Sequence, residues 1–219
     1  MNRSGFLLRG FTLVELNVSL AIILALMTVL LWRYPETATR LTLANMSHTT
    51  SLLVREAQVR GSAIDSINSS LGGYGVHFDL ATMDKIFLFG DTVNSSVPMP
   101  YNIPIGDGIY QNGTPFDETK TITSLSQGYV ISKLCVGNGF PFTCNEANIP
   151  GINTLTISFT RPVPMPIIFI NGTKAATYPG ACVELRSPRA PLSGHVRSVQ
   201  IFSSGMIRTD IGTCDNDPL

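Results

Sequence analysis

The stretch Arg9–Trp32, RGFTLVELNVSLAIILALMTVLLW, decides how this chain is organised. Its last 22 residues, from Phe11 to Trp32, are mostly apolar and contain one formal charge, on Glu15. A run of about 20 apolar residues is long enough to cross a bilayer as a helix. A carboxylate near the bilayer centre costs about 2.5–3.5 kcal/mol, so an ionisable residue in such a run indicates a function. The stretch therefore predicts one membrane helix and a role for Glu15.

The flanking charges predict the orientation of this helix. Arg3 and Arg9 precede the run, and positive charge stays on the cytoplasmic side, so residues after Trp32 are expected outside the cytoplasm. An ordinary secretory signal peptide has a shorter apolar core and a small-x-small cleavage site, and neither is found here. A plain signal anchor fits the length, but it gives no reason for Glu15 or for Gly10.

The segment RGFTLVEL, residues 9–16, resembles the class III signal of type IV prepilins and type II secretion pseudopilins. The resemblance covers Gly10 to Glu15 in unbroken order and the apolar run that follows. It implies that a prepilin peptidase cleaves between Gly10 and Phe11 and then N-methylates Phe11. It also implies that Glu15 pairs with the Phe11 amine of a neighbouring subunit during assembly. The alternative for Glu15 is a tolerated carboxylate at the membrane interface.

The rest of the chain divides into a helix and a β-rich region. The expected organisation is a leader at 1–10, a helix at 11–60 with its membrane span at 11–32, and an exported head domain at 61–219. Residues 43–64 keep a moderately apolar face at helical spacing, and the helix is expected to kink at Pro35 without ending there. It is expected to stop near Gly61.

After Gly61 the pattern is typical of β-strands, so the predicted fold class is α+β with an antiparallel β-sheet head domain. Residues 92–123 are expected to be mostly loop, and PVPMP at Pro162 is expected to be a break between strands. The seven predicted strands are YGVHF (74–78), KIFLF (85–89), GYVISKLCV (128–136), TLTISF (154–159), IIFI (167–170), ACVEL (181–185) and VRSVQIF (196–202).

One segment at the end of the helix and two segments of the β-rich region resemble the head of the GspH/FimT-type minor pilins. They are LLVREAQVRG (52–61), GYGVHFD (73–79) and RSVQIFSSGMIR (197–208). The resemblance implies that the chain is a minor subunit of a pilus or pseudopilus.

All four cysteines follow the apolar run, in the part of the chain that is expected to be exported. An even number of cysteines in an exported domain favours disulfides over free thiols. A zinc site is disfavoured because the sequence has no C-x-x-C spacing and no histidine near a cysteine. We predict the pairs Cys135–Cys144, which closes a Gly/Asn/Pro turn, and Cys182–Cys214, which ties the C-terminal tail to a strand.

Charge is distributed unevenly along the chain. Residues 61–150 have three Lys/Arg and eight Asp/Glu, whereas residues 151–208 have six and one. The basic segment could form a phosphate-binding patch, as in FimT-like pilins that bind DNA for natural transformation. The tail that follows is acidic, however, so pairing of the arginines with the acidic middle of the same domain, residues 61–150, or of a neighbouring subunit is favoured. The arginines of the candidate patch are Arg186, Arg189, Arg197 and Arg208.

The sequence contains no G-x-S-x-G, H-E-x-x-H or P-loop motif, so a membrane-anchored enzyme is disfavoured and no cofactor is expected. The expected function is therefore that of a non-enzymatic minor pilin or pseudopilin in the cytoplasmic membrane, with its head domain outside. Its expected partners are the prepilin peptidase, other pilin subunits, the inner-membrane assembly platform and membrane lipid. The alternative is a DNA-binding minor pilin. Protein secretion, pilus formation and DNA uptake share this type of signal, so the sequence leaves the machine open.

Overall fold

The computed structural model describes residues 12–63, 72–92, 106–113, 116–126, 128–144, 151–160, 163–175, 177–190 and 194–215. The leader and the predicted cleavage site at Gly10 and Phe11 lie outside the described residues. The chain forms two compact units, Met1–Thr39 and Arg40–Leu219. The second unit contains the β-sheets and the C-terminal part of the helix.

One α-helix, α1, runs from Leu13 to Ser62 and contains Pro35 in its interior. The helix therefore continues through the proline, as predicted, and it ends one residue beyond Gly61. Hydroxyl groups inside the helix bond to its own backbone: Thr28 Oγ1 donates to the Leu24 carbonyl at 2.8 Å. This arrangement satisfies a polar group in the apolar part of the helix.

The β-strands follow α1 in the second unit. In chain order they are β1 (Gly73–Asp79), β2 (Lys85–Asp91), β3 (Asn112–Gly113), β4 (Phe116–Asp117), β5 (Thr119–Ser124), β6 (Val130–Gly137), β7 (Thr143–Cys144), β8 (Thr154–Thr160), β9 (Val163–Ile170), β10 (Thr173–Lys174), β11 (Gly180–Arg186), β12 (Val196–Phe202) and β13 (Ile207–Ile211). A short 3₁₀ helix, Leu80–Thr82, lies between β1 and β2.

These strands form two main sheets and one small hairpin. The first sheet has the order β10-β9-β8-β1-β2-β5, and the second has the order β13-β12-β11-β6-β7. The hairpin is β3-β4. Every strand pair among the described residues is antiparallel, as predicted.

One hydrophobic core joins the helix to both sheets. One face of each sheet packs into it, and in the second unit α1 contributes the residues that lie on its buried face. The second unit therefore includes the C-terminal part of the helix, from Arg40 to Ser62, which contributes Leu43, Leu53, Val54 and Ala57 to the core. The fully buried members are Leu43, Val54, Ala57, Val76, Phe78, Ile86, Leu88, Ile131, Leu134, Ile157, Phe159, Val183, Val199 and Ile201, among others.

The seven predicted strands are present, and the structure departs from the prediction at two places. Strand β5 begins at Thr119, inside the segment predicted to be mostly loop. PVPMP is also not a break, because β9 starts at Val163 and includes its last two prolines. Those prolines are tolerated because β10 pairs with the far end of β9, at Phe169 and Ile170. The proline end therefore has one neighbouring strand and behaves as a sheet edge.

Two disulfides lie on the face of the second sheet that points away from the core, which we call the outer face. One joins Cys135 to Cys144 across the β6-β7 pair, and the other joins Cys182 to Cys214. The described residues include no free cysteine. These are the two pairs predicted from the sequence. Phe142 and Phe202 pack around them.

Candidate assembly site at the start of the helix

The start of α1 is capped by Thr12. Its Oγ1 accepts the backbone N–H of Glu15 at 3.2 Å, and its carbonyl accepts the N–H of Leu16 at 3.1 Å. The spacing Thr-x-x-Glu is that of a capping box, in which the acidic residue returns a bond to the cap. Sequence analysis missed this pattern because the same residues carry the prepilin resemblance. Thr12 therefore fixes where the helix begins and places Glu15 in its first turn.

Glu15 lies where a negative charge is favourable. The first turn of a helix leaves backbone N–H groups without intrahelical partners, and its partial positive charge stabilises a nearby carboxylate. The side chain of Glu15 is exposed and can be reached by a group from outside this chain. The predicted partner, the amine of Phe11 on a neighbouring subunit, lies outside the described residues.

The helix that follows is apolar on all sides. Its large side chains from Leu13 to Trp32 are exposed: Leu13 is 76% exposed and Trp32 is 85% exposed. A helix that is apolar all round needs an apolar environment, which a bilayer or a bundle of similar helices provides. Among the described residues, one helix is long and apolar enough to cross a membrane, and its apolar window is not buried within the chain.

The four arginines of the candidate basic patch are divided between the two faces of the second sheet. Arg197 on β12 pairs across the strands with Leu185, a core residue, so it lies on the core side. Arg186 alternates with Leu185 and shares the outer face with Glu184. Arg208 on β13 pairs with Gln200 and also lies on the outer face. Arg189 lies in the turn that follows β11, with an exposed side chain.

Two of these arginines face carboxylates. The Arg186 guanidinium lies 4.0 Å from Glu184, and Arg208 is paired with Asp210 on its own strand. Both acidic partners lie outside the acidic region at 61–150. The expectation that the arginines pair with the acidic middle of the domain is therefore wrong for Arg186 and Arg208, because strand geometry places nearer carboxylates beside them.

Two carboxylates, Asp91 and Glu118, hold the segment 106–111 beside the first sheet. Asp91 Oδ2 accepts the N–H of Gly108 at 2.8 Å, and its Oδ1 is buried without a hydrogen-bond partner. Glu118 accepts the N–H groups of Thr92 and Gln111 at 2.8 and 3.0 Å. A side chain at Gly106 would collide with the Asp91 carboxylate. The carboxylates therefore serve as acceptors for backbone N–H groups, and within the described residues no His, Cys, Asp and Glu set is arranged to hold a metal ion.

The environment of Asp91 predicts how stability depends on pH. Burial, together with the charges of Glu118 and Asp107, raises the pKa of Asp91 from 3.8 to about 7. Between these two values the folded state holds a proton that the unfolded chain releases, so the Asp91 contribution to stability falls as pH rises through that window. The Asp91→Asn variant should lose this dependence and gain stability at pH 8, by on the order of a few kcal/mol.

Denaturant unfolding of residues 40–219 at pH 5 and pH 8, for the parent chain and the variant, measures this difference. The comparison must be between the two chains, because burial also lowers the pKa of His77 to about 4, which acts in the opposite direction. The interpretation of Asp91 is wrong if the two chains have the same pH slope.

The family model of the prokaryotic N-terminal methylation motif matches residues 9–31. No curated protein and no solved structure matches the chain.

The matched residues include the predicted cleavage site, the Thr12 cap and Glu15, and they continue along the apolar helix. This match supports a type IV pilin-like family and fits a pilin or pseudopilin subunit. The motif implies processing by a prepilin peptidase and assembly with other pilins, and it indicates a structural subunit, not an enzyme. Together with the exposed apolar helix, it fits anchoring in a membrane.

Proposed function

We propose that this chain is a minor pilin or pseudopilin with a GspH/FimT-like head, inserted with its N-terminus in the cytoplasm and its head outside. Prepilin peptidase removes residues 1–10 and methylates Phe11. The chain then enters a pseudopilus or pilus through its N-terminal helix, from an assembly platform in the inner membrane. The observation that carries the proposal is the methylation motif at residues 9–31 at the start of an exposed apolar helix.

Two features of the head domain support this proposal: the core that it shares with the helix, and its disulfides. The helix from Arg40 onward is built into the same core as both antiparallel sheets, so the head is fixed to the segment that leads to the membrane span. Two disulfides in the head fit an oxidising compartment outside the cytoplasm. The helix, the β-rich head and the disulfides therefore support the proposed membrane span and exported head.

DNA binding remains the alternative function, and the position of the arginines weakens it. A patch that neutralises several phosphates needs its cations on one surface. Here Arg197 lies on the core side of the sheet, and Arg186 and Arg208 on the outer face are each beside a carboxylate. The acidic residues that follow Arg208 add further negative charge to this end of the chain.

We therefore expect weak, non-specific DNA binding by residues 40–219. The dissociation constant for duplex DNA should be no lower than about 1 μM at physiological salt. Fluorescence anisotropy over a salt series measures it, with the double variant Arg186→Ala and Arg189→Ala as the matched control. Sub-micromolar binding that the double variant loses would favour the DNA-receptor alternative.

The experiment that tests the proposed function is chemical identification of the mature N-terminus. Processing at Gly10 leaves a chain that begins at Phe11, carries one added methyl group and retains the whole apolar span. An ordinary secreted protein would lose that span.

A further inference from the structure

A buried amine and a carboxylate meet beneath the C-terminal tail, on the outer face of the second sheet. Lys133 of β6 is 4% exposed, although lysine is seldom buried to this extent. Its Nζ donates to Asp215 Oδ2 at 3.0 Å. Asp215 is the last residue of the described tail, and its side chain is 24% exposed. A nucleophilic nitrogen is therefore held against a carboxyl group.

A second carboxyl group lies beside this pair. Glu184 of β11 is the cross-strand neighbour of Lys133 and is completely buried. Its Oε1 accepts the Ser132 hydroxyl at 2.6 Å, while its Oε2 is buried without a hydrogen-bond partner. Burial raises the pKa of Glu184, and the charges of Lys133, Asp215 and Arg186 all act on it. The group is therefore suited to hold a proton and exchange it with its neighbours.

The tail is held in this position by two independent contacts. The disulfide between Cys182 and Cys214 fixes the residue that immediately precedes Asp215. The Cys214 carbonyl also accepts the N–H of Phe142 at 3.0 Å. Holding two reacting groups together in this way makes their reaction effectively unimolecular, which is the main requirement for amide formation without an activated carboxyl group.

We propose that Lys133 and Asp215 form an intramolecular amide bond after the head has folded. A proton first passes along the hydrogen bond from the Lys133 ammonium to the Asp215 carboxylate, which leaves a neutral amine and a neutral carboxyl group. The Lys133 Nζ then attacks the Asp215 Cγ, a C–N bond forms, and the C–O bond to the carboxyl hydroxyl breaks. Glu184 gives a proton to the departing hydroxyl, which leaves as water, and regains a proton from the nitrogen. One ammonium and one carboxylate become one amide and one water, and Glu184 is unchanged.

The surroundings favour the product over the ion pair. Two charges held out of water carry a desolvation penalty that their attraction repays only in part, and a neutral amide removes both charges. The bond also adds a covalent link between the tail and β6, next to the link that Cys182–Cys214 makes to β11. This inference concerns the head alone and does not depend on the role of the chain in assembly.

Mass spectrometry of the full mature chain tests the proposal. After reduction of both disulfides, the chain should be lighter than its sequence mass, corrected for N-terminal processing, by the mass of one water. A tryptic digest of the reduced chain should join the C-terminal peptide, which begins at Thr209, to the peptide that contains Lys133. A full sequence mass, with cleavage after Lys133, would overturn the proposal. The mass before reduction shows both disulfides and so reports that the head folded.

Two variants test the roles of Lys133 and Glu184 separately. Lys133→Arg keeps a cation beside Asp215 but removes the amine nucleophile, so its reduced chain should have the full mass. Glu184→Gln keeps the acceptor for Ser132 but removes the exchangeable proton, so it should also have the full mass. An amide in Glu184→Gln at the parent level would show that Glu184 has no part in the reaction. Loss of water from Lys133→Arg would exclude the Lys133–Asp215 bond as its source.

Discussion

Replacing Glu15 with alanine is expected to abolish incorporation of the chain into its assembly while leaving membrane insertion and folding of the head intact. In the proposed assembly each added subunit buries the Phe11 amine of one chain against the Glu15 carboxylate of another. Removing the carboxylate leaves a cation in a low-dielectric setting without its partner, which costs about 3–5 kcal/mol. Cleavage should survive, because the scissile bond after Gly10 is unchanged. Co-purification from membranes with other chains that carry the methylation motif measures incorporation.

The Glu15→Gln variant separates the charge of Glu15 from its place in the helix cap. Glutamine can fill the third position of a capping box as glutamate does, so this variant keeps the start of α1 and removes the charge. We expect it to be impaired nearly as much as Glu15→Ala. Glu36→Ala is the control, because it removes a carboxylate from the same helix beyond the predicted span. Normal incorporation of both Glu15 variants would make Glu15 a tolerated interfacial residue.

Leu43→Ala is expected to destabilise the head strongly. Leu43 of α1 is completely buried in the core that the helix shares with both sheets. Truncating a buried leucine removes apolar contacts and leaves a cavity, so the free energy of unfolding of residues 40–219 should fall by about 2–5 kcal/mol. Urea unfolding measures this change.

Leu41→Ala is the matched control for that experiment. Leu41 is the same residue type, lies two positions earlier in the same helix, and is 61% exposed. Its truncation should change stability by no more than about 0.5 kcal/mol. Equal effects of the two substitutions would contradict the helix orientation described here.

The sequence predicted the parts of the fold that have strong local patterns. The apolar run from Phe11 to Trp32, the continuation past Pro35 and the seven strands with runs of β-branched or aromatic residues all belong to this group. The two disulfide pairs could also be predicted from positions along the chain. Cys135 and Cys144 bracket a turn, and Cys182–Cys214 connects the C-terminal tail to a strand.

The strands that the sequence analysis missed are edge strands. Strands β5, TKTITS, and β13, IRTDI, lie at the ends of the two sheets and have exposed polar residues. An edge strand packs against one neighbour, so its sequence lacks the apolar runs that identify central strands. The prolines of β9 predict a break for a related reason. The sequence does not show that the proline end of this strand has a neighbour on one side only, where a proline is tolerated.

The candidate sites depended on information that spacing along the chain does not give. Whether the four arginines share a surface depends on strand register, which places Arg197 and Arg186 on opposite faces. The meeting of Lys133, Glu184 and Asp215 depends on the same register and on the path of the tail. By contrast, the Thr12 cap can be predicted from the spacing Thr-x-x-Glu. It is easily overlooked because Glu15 also belongs to the prepilin-like segment, where it is interpreted as an assembly residue.

The central claim is that this chain is a processed pilin-type subunit, and the mature N-terminus tests it most directly. Intact-mass analysis and N-terminal sequencing of the protein extracted from its native membranes should find a single chain that begins at N-methylated Phe11. That result requires cleavage after Gly10 with the apolar span retained. A chain that begins beyond Trp32 would contradict the account, since the span would then have served as a secretory signal and Glu15 would be absent from the mature protein.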